Sequence, residues 1–361
     1  MQGPRVWIAA AGLLVLIPLL AVLAIFASAN GPTLSALALA SVPALVALLS
    51  LALPAAPSRR RRRLAAAALA LVALDALYVA ARLSRPAGPA VAARFCEDDD
   101  CAASPPILAR VPDEQESALA GLELSRALGV ARGAEADHLE ALLRREYGEL
   151  RASPRFSALP TAPLIASPPG HTRYLAWVPP GKERAPCLVF LHGFGGQLSV
   201  YLKVLVEELG DDFVIVAPFL DHAGRWWTPD GEAIVRDLVE RRLPAAADRD
   251  RVVLVGLSNG GIGAARLVQA GPARALFRGA ILLSGVADPL AADLSGVDLL
   301  VITGAADPRF PLAAVERSAE LLRGRGASVS LDVLDGDHFI VLSHKRDVAA
   351  HIRAWLAPRL R

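Results

Sequence analysis

From His171 onward, short apolar runs alternate with amphipathic segments of helical length, and this alternation restricts the available folds more than any other feature. The runs are "TRYLAWV" (172–178), "CLVFLH" (187–192), "FVIVAPF" (213–219), "RVVLVGL" (251–257), "GAILLSG" (279–285), "DLLVITG" (298–304) and "SVSLDVL" (328–334). Between most of them lie stretches such as "SVYLKVLVEELG", "GEAIVRDLVERRL", "GIGAARLVQAG" and "LAAVERSAELLRGRG". A strand that is apolar along its whole length needs cover on both faces. The expected class is therefore α/β, a mainly parallel sheet with helices on both sides. In such sheets reactive groups collect beyond the carboxyl ends of the strands.

One strand end stands out. The run at 251–257 leads into Gly256-Leu257-Ser258-Asn259-Gly260, a G-x-S-x-G pattern with a helix predicted immediately after it. A sharp strand-to-helix turn holds the central serine clear of the sheet at a helix N-terminus, and small flanking residues permit the close approach. The plainer reading is a serine N-cap in an unreactive turn.

A serine hydroxyl becomes a nucleophile only when a base takes its proton and another group orients that base. Among seven histidines, His338 in "LDGDHFIVL" follows the last strand and is the expected base. His344 and His351 fall in or beside the C-terminal helix, His138 in an earlier helical stretch, and His171 ahead of the first strand. The expected acid is Asp307 in "VITGAADPRFP", with Asp288 in "LSGVADP" as the competitor, and the chain order Ser…Asp…His favours Asp307. Asp335 and Asp337 read as turn formers, and the neighbours Asp221 and His222 are poorly placed to share one proton.

The loop His192-Gly193-Phe194-Gly195-Gly196 ends another strand. Backbone N–H groups of Phe194 and Asn259 are the expected oxyanion donors, with His192 bracing the loop. No Lys-Ser/Thr follows the glycines, so the phosphate-binding pattern is missing. Trp226 and Trp227, in the irregular segment "DHAGRWWTPDG", either line a substrate pocket or cover the sheet edge.

Taken in order, "YLAWVPPG…CLVFLHGFGG", "GLSNGG", "GAADPRFP" and "GDHF" resemble the α/β-hydrolase superfamily, in particular its polyester-depolymerase/feruloyl-esterase-like and prolyl-oligopeptidase-like branches. The likeness covers about residues 165–361. It implies an α/β-hydrolase fold, Ser258, Asp307 and His338 as a triad, and Phe194 and Asn259 as the oxyanion hole. The resemblance implies no metal and no organic cofactor.

The first 85 residues have a different texture. Hydrophobic residues make up 54% of the chain, and the excess lies here. Three apolar runs, 6–28, 33–53 and 64–83, are expected to cross a bilayer as an all-α anchor spanning residues 1–85, the third interrupted by Asp75 and Arg82. Five consecutive arginines, Arg59 to Arg63, hold the loop before the third run on the cytoplasmic side, so everything after it is expected outside the cytoplasm. The competing readings are that the first run is a cleaved signal sequence ending near Ala27-Ser28-Ala29, that the third does not insert, and that the arginine run is a nucleic-acid patch. Residues 86–160 read as a tether and two helices, within 113–150 and divided at Gly129 to Gly133, whose job is packing or positioning. The hydrolase domain is expected over 161–361.

In "FCEDDDC", Cys96 and Cys101 are spaced for a short disulfide loop in an oxidising compartment, with free thiols or a metal site as alternatives. Cys187 reads as a buried apolar residue. A net charge of +2 supplies no whole-chain attraction for nucleic acid.

These readings converge on a membrane-anchored serine hydrolase acting on a small-molecule ester or lipid-like substrate. Peptide or amide hydrolysis is the enzymatic alternative, and a catalytically inactive, membrane-anchored binding protein is the alternative outside catalysis. No oligomeric state follows from the residues.

Overall fold

The computed structural model describes residues 16, 20–30, 40–46, 59–83, 93–101, 113–131, 133–156, 167–269 and 272–360. The chain divides into two compact units, Met1–Pro86 with Arg110–Leu143, and Ala87–Ala109 with Arg144–Arg361.

The second unit is built on an eight-stranded sheet of order β1-β2-β4-β3-β5-β6-β7-β8. Its strands are β1 (Arg94–Glu97), β2 (Arg173–Trp177), β3 (Ala185–Leu191), β4 (Val214–Pro218), β5 (Ala247–Leu257), β6 (Ala280–Leu283), β7 (Asp298–Gly304) and β8 (Ser328–Leu334). β2 runs antiparallel to β1 and β4, and every other pairing is parallel. Helices Ser199–Leu209, Pro229–Asp237, Asn259–Gln269 and Leu312–Gly324 fill the crossovers, and helix Lys345–Leu356 follows β8. This is an α/β-hydrolase-like mixed sheet, mostly parallel, with flanking helices.

Each expected strand forms, and the reason is burial. Both faces of the central strands are covered: Val189, Leu254 and Leu282 on one, Leu188, Val253 and Ile281 on the other, are all fully buried. At about 1.5–3 kcal/mol per buried aliphatic side chain, this double layer outweighs the modest helix preference of residues such as leucine. β1 was not expected. Its four residues lie in the segment read as a tether, and it gains the sheet edge through backbone pairing with β2. Cys96, within β1, forms a disulfide with Cys101 just after it. Two of the acids between them have fixed partners: Asp98 lies 2.8 Å from His171 Nδ1 and accepts from the amide of Thr172, while Asp99 forms an ion pair with Arg242 at 2.6 Å. Burial also pushes the Cys187 thiol up, so it stays a neutral packing group.

In the first unit, helix Glu114–Ala127 starts on a capping box. The Asp113 carboxylate accepts from the Glu116 amide, and the Glu116 carboxylate accepts from the Asp113 amide. Gly129 and Gly133, both at positive φ, separate it, as the sequence spacing predicted, from helix Gly133–Ala152, which belongs to this unit up to Leu143 and to the second from Arg144. Arg126, itself steadied by Glu123 on its own helix, ties the pair together through Asp137 and Glu140.

The expectation that the third run, 64–83, crosses a bilayer needs correction. The runs 6–28 and 33–53 lie largely outside the described residues. The third, 64–83, does form a helix, Arg59–Leu83. Yet no helix among the described residues is long and apolar enough to cross a membrane. That helix opens on five arginines, and its Asp75 accepts a hydrogen bond from Ser41 at 2.5 Å.

Candidate active site

β5 delivers its last residue, Leu257, straight into Ser258, and helix Asn259–Gln269 begins at once. Ser258 takes φ 53°, a left-handed conformation rare for a residue with a side chain. Backbone bonds hold it there on both sides. Its amide donates to Leu283 O at 2.8 Å, and its carbonyl accepts from Ile262 N at 3.1 Å. The flanking glycines are a steric requirement. A Cβ at Gly256 would lie 2.1 Å from Gly260 O, and one at Gly260 would lie 2.0 Å from Leu191 O.

His338 reaches the serine from the turn after β8. Its Nε2 stands 3.1 Å from Ser258 Oγ, and its Nδ1 stands 2.8 Å from Asp307 Oδ2. The carboxylate can only accept, so Nδ1 carries the proton and Nε2 is left to accept from the serine hydroxyl. The other oxygen of Asp307 accepts from the amides of Arg309 at 2.8 Å and Phe310 at 3.0 Å. Burial works to raise this carboxyl. The bond and charge from His338, with the two amides, outweigh it, and the pKa sits below the ordinary carboxylate value. Asp307 is thus an anion fixed to the far side of the imidazole.

The competitor acid is elsewhere employed: Asp288 accepts from Ser318 Oγ at 2.6 Å. Asp337 accepts from the amide of Phe339, the turn-forming role expected of it. His344 is within 2.9 Å of Ser343 Oγ, and His351 within 2.8 Å of Asp332.

The glycine loop after β3 lies beside the serine, since a Cβ at Gly193 would meet Ser258 Cβ at 3.1 Å. His192 is fully buried, donates from Nδ1 to Gly193 O at 2.8 Å, and sits edge-on to Trp226. Burial drives its pKa down to about 4, against smaller opposing effects of Gly193 O and Asp221, so it is neutral and structural. The amides of Phe194 and Asn259 have no hydrogen-bond partner among the described residues, which leaves both available to an oxyanion.

The tryptophans part company. Trp226 is fully buried and donates Nε1 to His192 O at 2.9 Å, so the pocket-lining reading is corrected for it: the indole is a buttress under the glycine loop. Trp227 is 37% exposed. Two further bonds stitch its segment to the site, Gly195 N to His222 O at 2.7 Å and Asn259 Nδ2 to Ala223 O at 2.7 Å.

Sequence reasoning missed the aromatic walls of the base. The Phe310 ring lies parallel to His338, 5.9 Å away, and Phe339 meets it edge-on at 5.6 Å. Their signal was adjacency: Phe310 lies in "DPRFP" and Phe339 next to the histidine.

No protein-family model and no curated protein matches the chain. Solved structures do. A carboxylesterase from Mesorhizobium loti is 25% identical over 52% of this chain and 94% of its own, with a TM-score of 0.43. A Bacillus cereus carboxylesterase is 18% identical over 51% and 94%, with a TM-score of 0.41. An acylaminoacyl peptidase from Pyrococcus horikoshii is 17% identical over 54% of this chain and 40% of its own, with a TM-score of 0.41.

Proposed function

We propose that the protein is a serine hydrolase of carboxylic esters working through an acyl-enzyme. The observation that carries this reading is the continuous line from Asp307 Oδ2 through both ring nitrogens of His338 to Ser258 Oγ, ending on a serine at positive φ. Ser258 attacks the ester carbonyl while His338 Nε2 takes its proton, and Asp307 stabilises the imidazolium that results. The oxyanion forms against the amides of Phe194 and Asn259, each such donor lowering the barrier by about 3 kcal/mol. His338 then protonates the departing alcohol, and water activated by the same nitrogen releases the acid.

An ester is the favoured acyl donor because an alcohol leaves more readily than an amine, and because the described residues between β6 and β7, 284–297, carry no inserted lid. The segment between β6 and β7 is short and pinned, with Leu290 N donating to Gln269 Oε1 at 2.8 Å and Asp288 held by Ser318. The phenyl ring of Phe194 and the indole of Trp227, 60% and 37% exposed, offer apolar surface to a small ester or a lipid-like chain.

Reaction of the full chain with a fluorophosphonate tests this reading. Ser258→Ala is expected to abolish both labelling and turnover of esters of graded chain length. Retained labelling would reassign the nucleophile, and faster turnover of peptide amides than of matched esters would reassign the substrate class.

The domain is assigned to the outside of the cytoplasm, a reading supported by the Cys96–Cys101 bridge, which belongs in an oxidising compartment. The uncharged runs 6–28 and 33–53 support attachment to a bilayer. Activity that stays with membranes through an alkaline wash fits this placement, and fully soluble activity overturns it.

A further inference from the structure

Glu146 lies in the last turns of helix Gly133–Ala152, and its side chain is fully buried. Both carboxylate oxygens are used, and the cations reaching them come from three elements. Arg145 approaches Oε1 at 2.8 Å through Nη2, Lys203 approaches Oε2 at 3.3 Å, and Lys345 stands 3.0 Å from both. Lys203, itself 1% exposed, is further held by Glu149 at 2.7 Å and Glu207 at 2.9 Å.

The placement of those cations matters more than their number. Lys203 lies on helix Ser199–Leu209, which follows directly from the glycine loop carrying Phe194. Lys345 opens the helix that follows the His338 turn. Arg145 also donates from Nη2 to Leu342 O at 2.6 Å. Leu342 and Ser343 donate in turn to Phe339 O, at 2.9 and 3.0 Å, closing the turn just after His338. One buried anion therefore joins the support of the oxyanion loop to the support of the base, two parts separated by more than a hundred residues of chain.

Resting on the serine-hydrolase reading, we propose that Glu146 and Arg145 are positioning residues for hydrolysis, fixing the Phe194 loop and the His338 turn relative to each other. The segment read as a packing helix outside the catalytic domain is on this view part of the catalytic apparatus. A carboxylate suits the position because removing its charge takes from buried Lys203 and half-buried Lys345 the one buried anion they share, leaving only the solvent-facing Glu149 between them, 2.7 and 3.0 Å away, and each can then move its own helix. A small displacement suffices: misplacing reacting groups by about 1 Å costs up to about 100-fold in rate.

The test uses the full chain, comparing wild type with Ser258→Ala, Glu146→Gln, Arg145→Ala and Arg145→Lys. Turnover, KM, the rate of fluorophosphonate labelling and the thermal midpoint are read for each. Glu146→Gln and Arg145→Ala are expected to lower kcat and the labelling rate together by about tenfold or more, with KM changed less than about twofold. Arg145→Lys, which keeps a donor for Leu342 O, is expected to recover part of the loss. Lowered thermal midpoints with wild-type kcat and labelling would overturn the inference while leaving the serine-hydrolase reading intact. Should Glu146→Gln not fold, Arg145→Ala decides alone, because the Arg145 side chain is 48% exposed and its truncation leaves no buried charge of its own. An inert wild-type chain overturns both readings.

Discussion

The Phe310 ring is stacked on the His338 imidazole, with planes 7° apart and centroids 5.9 Å apart. The same residue donates its amide to Asp307, so it touches the acid with its backbone and walls the base with its side chain. Aromatic pairs of this kind contribute about 1 kcal/mol beyond simple burial. Phe310→Ala is expected to lower kcat about fivefold with a smaller change in KM, while Phe310→Leu recovers part of it. Unchanged kcat in the alanine variant would show that the ring is only a lining group.

The choice between the two aspartates is open to a direct comparison. Asp307→Asn removes the anion beside His338 Nδ1 and is expected to lower kcat about 10⁴-fold. Asp288→Asn disturbs only the bond to Ser318, so its kcat is expected to stay near wild type. Equal losses in both variants, measured by steady-state kinetics on one ester, would refute the assignment of the acid.

Two glycines near the serine have no room for a methyl group, and one distant glycine does. Gly256→Ala and Gly260→Ala each drive a methyl into backbone carbonyls and are expected to destabilise the fold by about 3 kcal/mol or more. Gly148 lies inside helix Gly133–Ala152 with nothing within 4 Å of an added Cβ. Gly148→Ala is expected to stabilise by about 0.5–1 kcal/mol. Denaturant midpoints check all three, and a tolerated Gly260→Ala would mean that the turn relaxes.

Acid should weaken the fold in a window set by His192. Burial lowers its folded-state pKa from the ordinary 6.5 to about 4. The unfolded chain therefore takes up this proton first. The stability linked to His192 is complete above pH 6.5, falls as the pH drops, and is lost by about pH 4. Glu149, held at about 2 first by the hydrogen bond from Lys203, adds a separate loss between its ordinary 4.5 and about 2. His192→Gln is expected to flatten the upper window in urea titrations and leave the lower one in place. An unchanged slope between pH 6.5 and 4 would contradict the assignment.

The sheet was legible because burial on two faces writes itself as unbroken apolar runs, and the expected strands agree with β2 to β8 within a few residues. The serine, histidine and aspartate were legible because the turns that hold them have strict local demands. β1 was not, since a four-residue edge strand carries no periodicity of its own and owes its place to pairing with β2. Nor was the Glu146 cluster. Arg145, Glu146 and Glu149 read locally as ordinary helix-surface charges, and only the approach of Lys203 and Lys345 gives Glu146 its buried partners. Trp226 was half legible. Its segment was marked as important, but the burial that makes it a buttress depends on contact with His192, remote in sequence.

Nucleophile and base lie 80 positions apart, and between them runs the exposed segment around Leu290 that links β6 to β7. A cut there sorts the chemistry into two inert halves, one holding the attacking oxygen and the other the acid and the proton carrier. Turnover regained on mixing the halves would then measure how well β6 and β7 find each other again, making the enzyme a reporter of its own reassembly.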